Sequence, residues 1–125
     1  MHKIQYESLC KYKYRLLADL VLACSIKGVF VRTEYIELQP DGRLTLRKGY
    51  AWDGASGPTL DTESTMAGSA GHDALYQLIS LKALPASMRA LADDDLRRWC
   101  IEDGMHPARA SYWHEWVSIF GGLFT

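Results

Sequence analysis

His72, Asp73 and Tyr76 are the residues in this chain whose types and spacing point most directly to chemistry. An imidazole can take a proton near neutral pH, an ionised carboxylate can hold a hard cation, and a phenol can donate a hydrogen bond to a further carboxylate. Two other stretches could join them. Trp52-Asp53-Gly54-Ala55-Ser56-Gly57-Pro58 is too rich in small and turn-forming residues to be helix or strand, so it reads as a loop. Asp93, Asp94 and Asp95 supply three consecutive carboxylates. The same residues also admit a purely structural reading, in which His72 caps or packs, Asp73 is solvated and Tyr76 belongs to the core.

The elements that must position these groups follow from periodicity. Apolar and small residues from Met66 to Leu81 recur at helical spacing, and a helix over about Glu63 to Leu81 turns Met66, Ala67, Ala70, Gly71, Ala74, Leu75, Leu78 and Leu81 to one side. Ser69, His72, Asp73, Tyr76 and Ser80 then share an arc of roughly 100° on the other side, so they can line one cleft. Gly68 and Gly71 each lower helix propensity by up to about 1 kcal/mol relative to Ala, which two positions so close together tolerate only for a packing or site reason. The small residues would let another backbone approach just before His72.

A second helix is expected over about Pro85 to Asp103, closed by Gly104, and a third over about Pro107 to Phe120, closed by Gly121-Gly122. On the second, the three aspartates fan over about 200° of surface, so they cannot all hold one ion and at least one must be solvated. Periodicity alone favours Asp95 as the inward residue, with Asp93 at the edge of the apolar stripe; either could meet His72.

Upstream, the even positions from Tyr12 to Cys24 alternate as a strand would, although Leu17 and Val21 blur the pattern and leave helix open. Val29 to Val31 and Tyr35 to Leu38 read as strands, and Pro40-Asp41-Gly42 as the turn of a hairpin returning through Leu44 to Arg47. Strands first and helices second imply an α+β domain: a small antiparallel sheet, then three helices, two of them an antiparallel pair carrying the site. Length predicts one domain, β-rich over about 1–50, a small-residue loop over 51–62 and helical over 63–125.

Composition narrows the function. With 14 Lys and Arg against 15 Asp and Glu the formal charge is −1, and the one basic cluster, Lys11, Lys13 and Arg15, alternates like the wet face of a strand, so no nucleic-acid partner is expected. Cys10, Cys24 and Cys100 form no C-x-x-C pair and are read as reduced thiols. No apolar run approaches the roughly 18 residues of a membrane span, and no secretory signal is visible. These features lead to the expectation of a cytoplasmic protein, any export needing another route such as incorporation in a particle or release by lysis.

Gly49-Tyr50-Ala51-Trp52-Asp53-Gly54-Ala55-Ser56-Gly57-Pro58, Ala70-Gly71-His72-Asp73-Ala74-Leu75-Tyr76 and Arg89-Ala90-Leu91-Ala92-Asp93, taken together, resemble an uncharacterised family common in phages and prophages, domain of unknown function 1353. A small-residue loop, His-Asp-x-x-Tyr on a helix and an Asp about 21 residues after the His also resemble, more distantly, phospholipase A2 of the bacterial and fungal type. That second resemblance implies that His72 is the general base, that Asp93 orients it with help from Tyr76, and that Asp73 holds calcium. The rest of the ion's shell would come from the loop Asp53, Gly54, Ser56 and Gly57 through backbone carbonyls. It selects Asp93 over Asp95. The implied activity is hydrolysis of a phospholipid or another ester. The chain departs from the phospholipase pattern where Gly71 and Ala74 stand in place of disulfide cysteines, and at Asp53, Ser56 and Pro58 in the loop.

Two function classes therefore stand side by side: a calcium-dependent lipid-ester hydrolase, and a non-enzymatic phage structural or accessory protein that keeps the scaffold for packing or for binding a phage or host protein. Trp113, Trp116, Val117 and Phe120 form an apolar stripe on the third helix, read as core; a lipid-facing role would call for Lys and Arg that are nearly absent after Arg109. His106 and His114 have no carboxylate placed to make them ligands. A metal-dependent phosphohydrolase would need a further upstream His, and only His2 is available; a phosphate loop would need Gly-Lys-Ser/Thr after Gly54 or Gly57.

Overall fold

The computed structural model of the chain describes residues 2–9, 14–54 and 62–120. Within them lie β1 (Tyr6–Ser8), β2 (Tyr14–Leu16), β3 (Leu20–Ala23), β4 (Val31–Arg32), β5 (Ile36–Leu38), β6 (Arg43–Leu46) and β7 (Ala51–Trp52). They are followed by α1 (Glu63–Ser80), a 3-10 turn (Ala86–Met88), α2 (Arg89–Glu102) and α3 (Pro107–Phe120). The architecture is α+β, as the order of patterns predicts.

The strands form two antiparallel sheets, not one: β1-β2-β7 and β3-β6-β5-β4. The alternating stretch from Tyr14 to Cys24 buries Leu16, Leu20, Leu22 and Cys24, so its period is correct, but it breaks into two strands that enter different sheets. The break is held at Asp19, whose carboxylate accepts the Lys48 backbone N–H at 2.7 Å. β1 carries no clear alternation in the sequence and goes unpredicted. β7 corrects the expectation that the loop begins at residue 51, because Tyr14 pairs with Trp52 and Arg15 with Ala51 in register. A two-residue strand among turn-formers gives no periodic signal, and here its partner strand imposes it.

The hairpin turn is where expected. Gly42 has φ +93°, and a Cβ there would sit 2.5 Å from the Cys24 carbonyl oxygen, so only glycine fits. Both the β5–β6 and β3–β6 pairings hang on this turn, with Leu38 opposite Leu44 and Leu22 opposite Leu44.

Buried apolar side chains fall into two clusters. The larger joins the strands to α1 through Leu16, Leu22, Leu46, Trp52, Leu75 and Leu78, and the smaller joins α2 to α3 through Leu96, Cys100, Met105, Trp113 and Val117. α3 thus buries Trp113 and Val117 as read, but Phe120 is exposed and packs its ring on half-buried Trp116 at 5.2 Å between centroids. Leu81, expected on the core side of α1, is exposed as well, because the helix ends at Ser80 and Leu81 is its cap. The thiols of Cys24 and Cys100 are free and buried; Cys10 and Gly121-Gly122 lie outside the described residues. No helix among the described residues is long and apolar enough to cross a membrane.

Candidate functional site

α1 starts at Thr62, whose backbone N–H donates to the Thr65 hydroxyl at 2.9 Å while that hydroxyl donates back to the Thr62 carbonyl at 2.8 Å, closing the first turn. The helix then buries most of its circumference, from Thr65 through Ile79. Gly68 and Gly71 explain how. A Cβ on Gly68 would lie 2.9 Å from Cys100 Sγ, and one on Gly71 would lie 2.5 Å from Leu22 Cδ1 and 2.7 Å from Trp99 Cζ3. The neighbours that close in are therefore chiefly side chains of β3 and α2, where the sequence suggested a backbone. The penalty in helix propensity is offset by contact with three large or polarisable groups.

That close approach sets α1 against α2 and brings His72 to Asp93. His72 Nε2 lies 2.7 Å from Asp93 Oδ1, and the Tyr76 hydroxyl donates to the same oxygen at 2.7 Å. All three side chains are buried, and the His72 and Tyr76 rings lie against each other at 4.2 Å between centroids. Asp93, on the edge of its stripe, is the partner, as the resemblance implied and periodicity alone did not.

The geometry fixes a proton arrangement. A carboxylate receiving a hydrogen bond from Nε2 holds that proton on Nε2, which leaves the Nδ1 lone pair of neutral His72 available as a base. Among the described residues none hydrogen-bonds Nδ1. Burial pushes the Tyr76 hydroxyl well above its ordinary range, and the hydrogen bond to Asp93 and its charge add to the effect, so Tyr76 stays a donor.

Asp73 sits on the β7 side of the helix. Its pKa is raised to about 6, first by burial and further by the Asp53 charge, with His72 and a backbone hydrogen bond from Asp53 opposing. The Tyr50 hydroxyl nearby is pushed up by burial, then by the charges of Asp73 and Asp53. A half-buried carboxylate with a second acidic side chain beside it is short of positive charge, which is the condition a hard cation relieves. Asp53 meets Asp73 through its amide. Gly54 is buried with φ +83°, and Ser56 and Gly57 lie outside the described residues. Among the described residues no group of three His, Cys, Asp or Glu is gathered as a metal site.

The predicted face divides. Ser69 is not part of the His72 constellation: its hydroxyl accepts from Trp52 Nε1 at 3.0 Å and donates to the Met66 carbonyl at 3.0 Å, joining β7 to α1. Ser80 is exposed. The three aspartates go three ways. Asp95, also inward, accepts the Ser25 backbone N–H at 2.8 Å, its hydroxyl at 2.6 Å and Arg98 at 3.0 Å, so it ties α2 to the end of β3. Asp94 is exposed and pairs with His114 of α3 at 2.7 Å. That pair corrects the reading that His114 has no carboxylate; the partner lies 20 residues away on a neighbouring helix, where local spacing carries no signal. His2 is likewise placed by Asp103, which accepts its backbone N–H at 2.6 Å and lies 2.8 Å from its Nδ1.

No family model, curated protein or solved structure matches the chain.

Proposed function

We propose that the chain is a calcium-dependent, phospholipase A2-like lipid-ester hydrolase of a phage or prophage, with His72 as its base. The observation that carries the reading is the convergence of His72 Nε2 and the Tyr76 hydroxyl on one oxygen of Asp93, each at 2.7 Å.

In the reaction, a water placed against His72 Nδ1 gives up its proton to that nitrogen as its oxygen adds to the ester carbonyl carbon. The imidazolium so formed is stabilised by Asp93 across the Nε2 hydrogen bond, and Asp93 is held in place by Tyr76. Collapse of the tetrahedral adduct breaks the bond to the alcohol, and the proton on Nδ1 passes to the departing alkoxide. The products are a carboxylic acid and an alcohol, and His72 returns to its neutral form. Asp73 and Asp53 would hold the calcium ion, which when bound supplies positive charge to polarise the carbonyl.

Release of fatty acid from phospholipid vesicles in calcium, measured for the wild type and for His72→Gln, tests the reading. Turnover that falls by at least about 100-fold in His72→Gln, the range for loss of a general base, and that stops with chelator is the expected result. Robust hydrolysis by His72→Gln overturns it. A folded wild type that hydrolyses no ester and ignores calcium points instead to a structural or accessory protein that keeps the dyad for packing.

A further inference from the structure

A cavity of about 490 Å3 opens where α1 hands over to α2, lined by Ile79, Ser80, Lys82, Leu84, Pro85, Ala86 and Arg89. Its size falls within the range of small-molecule sites. Aliphatic walls from Ile79, Leu84, Pro85 and Ala86 meet two cationic side chains, and the lining contains no carboxylate.

Its position along the helices relates it to the dyad. On α1, Ile79 lies two turns beyond His72 and within about 20° of it around the axis, a rise of roughly 10 Å. On α2, Arg89 lies one turn before Asp93, and its charge acts on the Tyr76 hydroxyl. The cavity and the dyad are thus two stations on one interhelical seam.

Lys82 carries a further clue. α1 and α2 end on the same hydrogen-bonded turn: the Lys82 and Ala83 amides donate to Ile79 and Leu78 carbonyls, as the Gly104 and Met105 amides do to Ile101 and Cys100. In α2 the left-handed position is Gly104, at φ +101°; in α1 it is Lys82, at φ +62°, the one non-glycine residue with positive φ among the described residues. A glycine would suit that backbone better, so the cationic side chain stands at the cavity at a cost in backbone conformation.

We infer that this cavity binds the anionic end of an amphiphile, with a phosphate or carboxylate between Lys82 and Arg89 and an alkyl chain against Ile79 and Leu84. The inference concerns binding and needs no turnover; where the chain acts as a lipid hydrolase, the cavity is the subsite for a charged group of its lipid.

Isothermal titration and amide-shift mapping with decyl phosphate, below its critical micelle concentration, test it in the full chain. Decyl phosphate is expected to bind and to shift the Ser80, Lys82 and Ala86 amides, while decyltrimethylammonium does not bind and inorganic phosphate binds at least tenfold more weakly. Lys82→Gly should weaken decyl phosphate at least fivefold while raising the unfolding midpoint, a combination that mere damage to the fold does not produce. Ala86→Trp, which fills the exposed mouth, should abolish binding with folding kept. His72→Gln should bind as the wild type does, so hydrolysis and anion binding fail separately. Binding unchanged in Lys82→Gly and Ala86→Trp, or no binding to the wild type, overturns the inference.

Discussion

Asp73→Asn separates a carboxylate held for a cation from one that merely sits on a helix. The substitution keeps shape and leaves an oxygen to accept the Asp53 amide hydrogen bond, but removes the charge. Burial is the main cause that raises the Asp73 pKa from 3.8 to about 6. Below pH 3.8 the carboxyl is protonated in folded and unfolded chains alike and contributes nothing to the pH dependence. Between 3.8 and 6 the folded state holds a proton that the unfolded state has lost, so stability falls as pH rises, and above about 6 the penalty is complete. A rise of about two units corresponds to roughly 3 kcal/mol, and partial solvent screening brings this to about 2–3 kcal/mol. In chelator at pH 7.5, Asp73→Asn should therefore melt higher than the wild type, by on the order of 10 °C for a chain of this length. At pH 4 the two should converge. Calcium at about 100 times its dissociation constant should return about 2.7 kcal/mol to the wild type and leave Asp73→Asn unmoved. Differential scanning calorimetry across pH 4–8, with and without calcium, reads all three. A variant no more stable than the wild type in chelator at pH 7.5, or a wild type whose stability is flat from pH 4 to 7, would refute the electrostatic account.

The other contacts give sharper single measurements. Asp93→Ala leaves the Tyr76 hydroxyl and His72 Nε2 without their acceptor and should cost about 3 kcal/mol in urea unfolding, with hydrolysis lowered at least about 100-fold. Asp95→Ala removes both Ser25 hydrogen bonds and should cost a similar 3 kcal/mol or so by the same assay, without a change in calcium response. Asp94→Ala breaks only the exposed pair with His114 and should cost under about 1 kcal/mol. Gly71→Ala gains up to about 1 kcal/mol in helix propensity but drives a methyl into Leu22 and Trp99, so a net loss of about 1–2 kcal/mol is expected in thermal unfolding.

The difference between Asp93, Asp94 and Asp95 shows what the sequence could and could not reveal. The periodicity of α1 and α3 made their extents legible almost to the residue, and caps such as Gly104 are local signals, but α2 begins at Arg89 and not at Pro85, because Ala86–Met88 form a separate 3-10 turn first. The β-strands were less so: Tyr6–Ser8 and Ala51–Trp52 exist because β2 pairs with them, and no window of their own residues encodes that partner. The helical wheel gave Asp95 an inward direction, which is correct, but direction does not name the group met there. Asp95 meets Ser25, 70 residues away; Asp93 meets His72, 21 residues away.

What made the candidate site readable is a property of its two helices. Because α1 buries most of its circumference, its polar members cannot be sorted by exposure, and the split between Ser69, bound to Trp52, and His72, bound to Asp93, is decided by which element packs on each side. A polar group inside such a helix must find a partner or cost about 1–3 kcal/mol, so each buried hydroxyl and imidazole of α1 demands a donor or acceptor from a neighbour. Trp52 answers Ser69, Asp93 answers His72 and Tyr76, and half-buried Asp73 accepts from the Asp53 amide and otherwise keeps access to solvent. A half-buried carboxylate raised to about 6 by burial and by the Asp53 charge is stabilised by either a proton or a cation, and the calcium titration of Asp73→Asn bears directly on which.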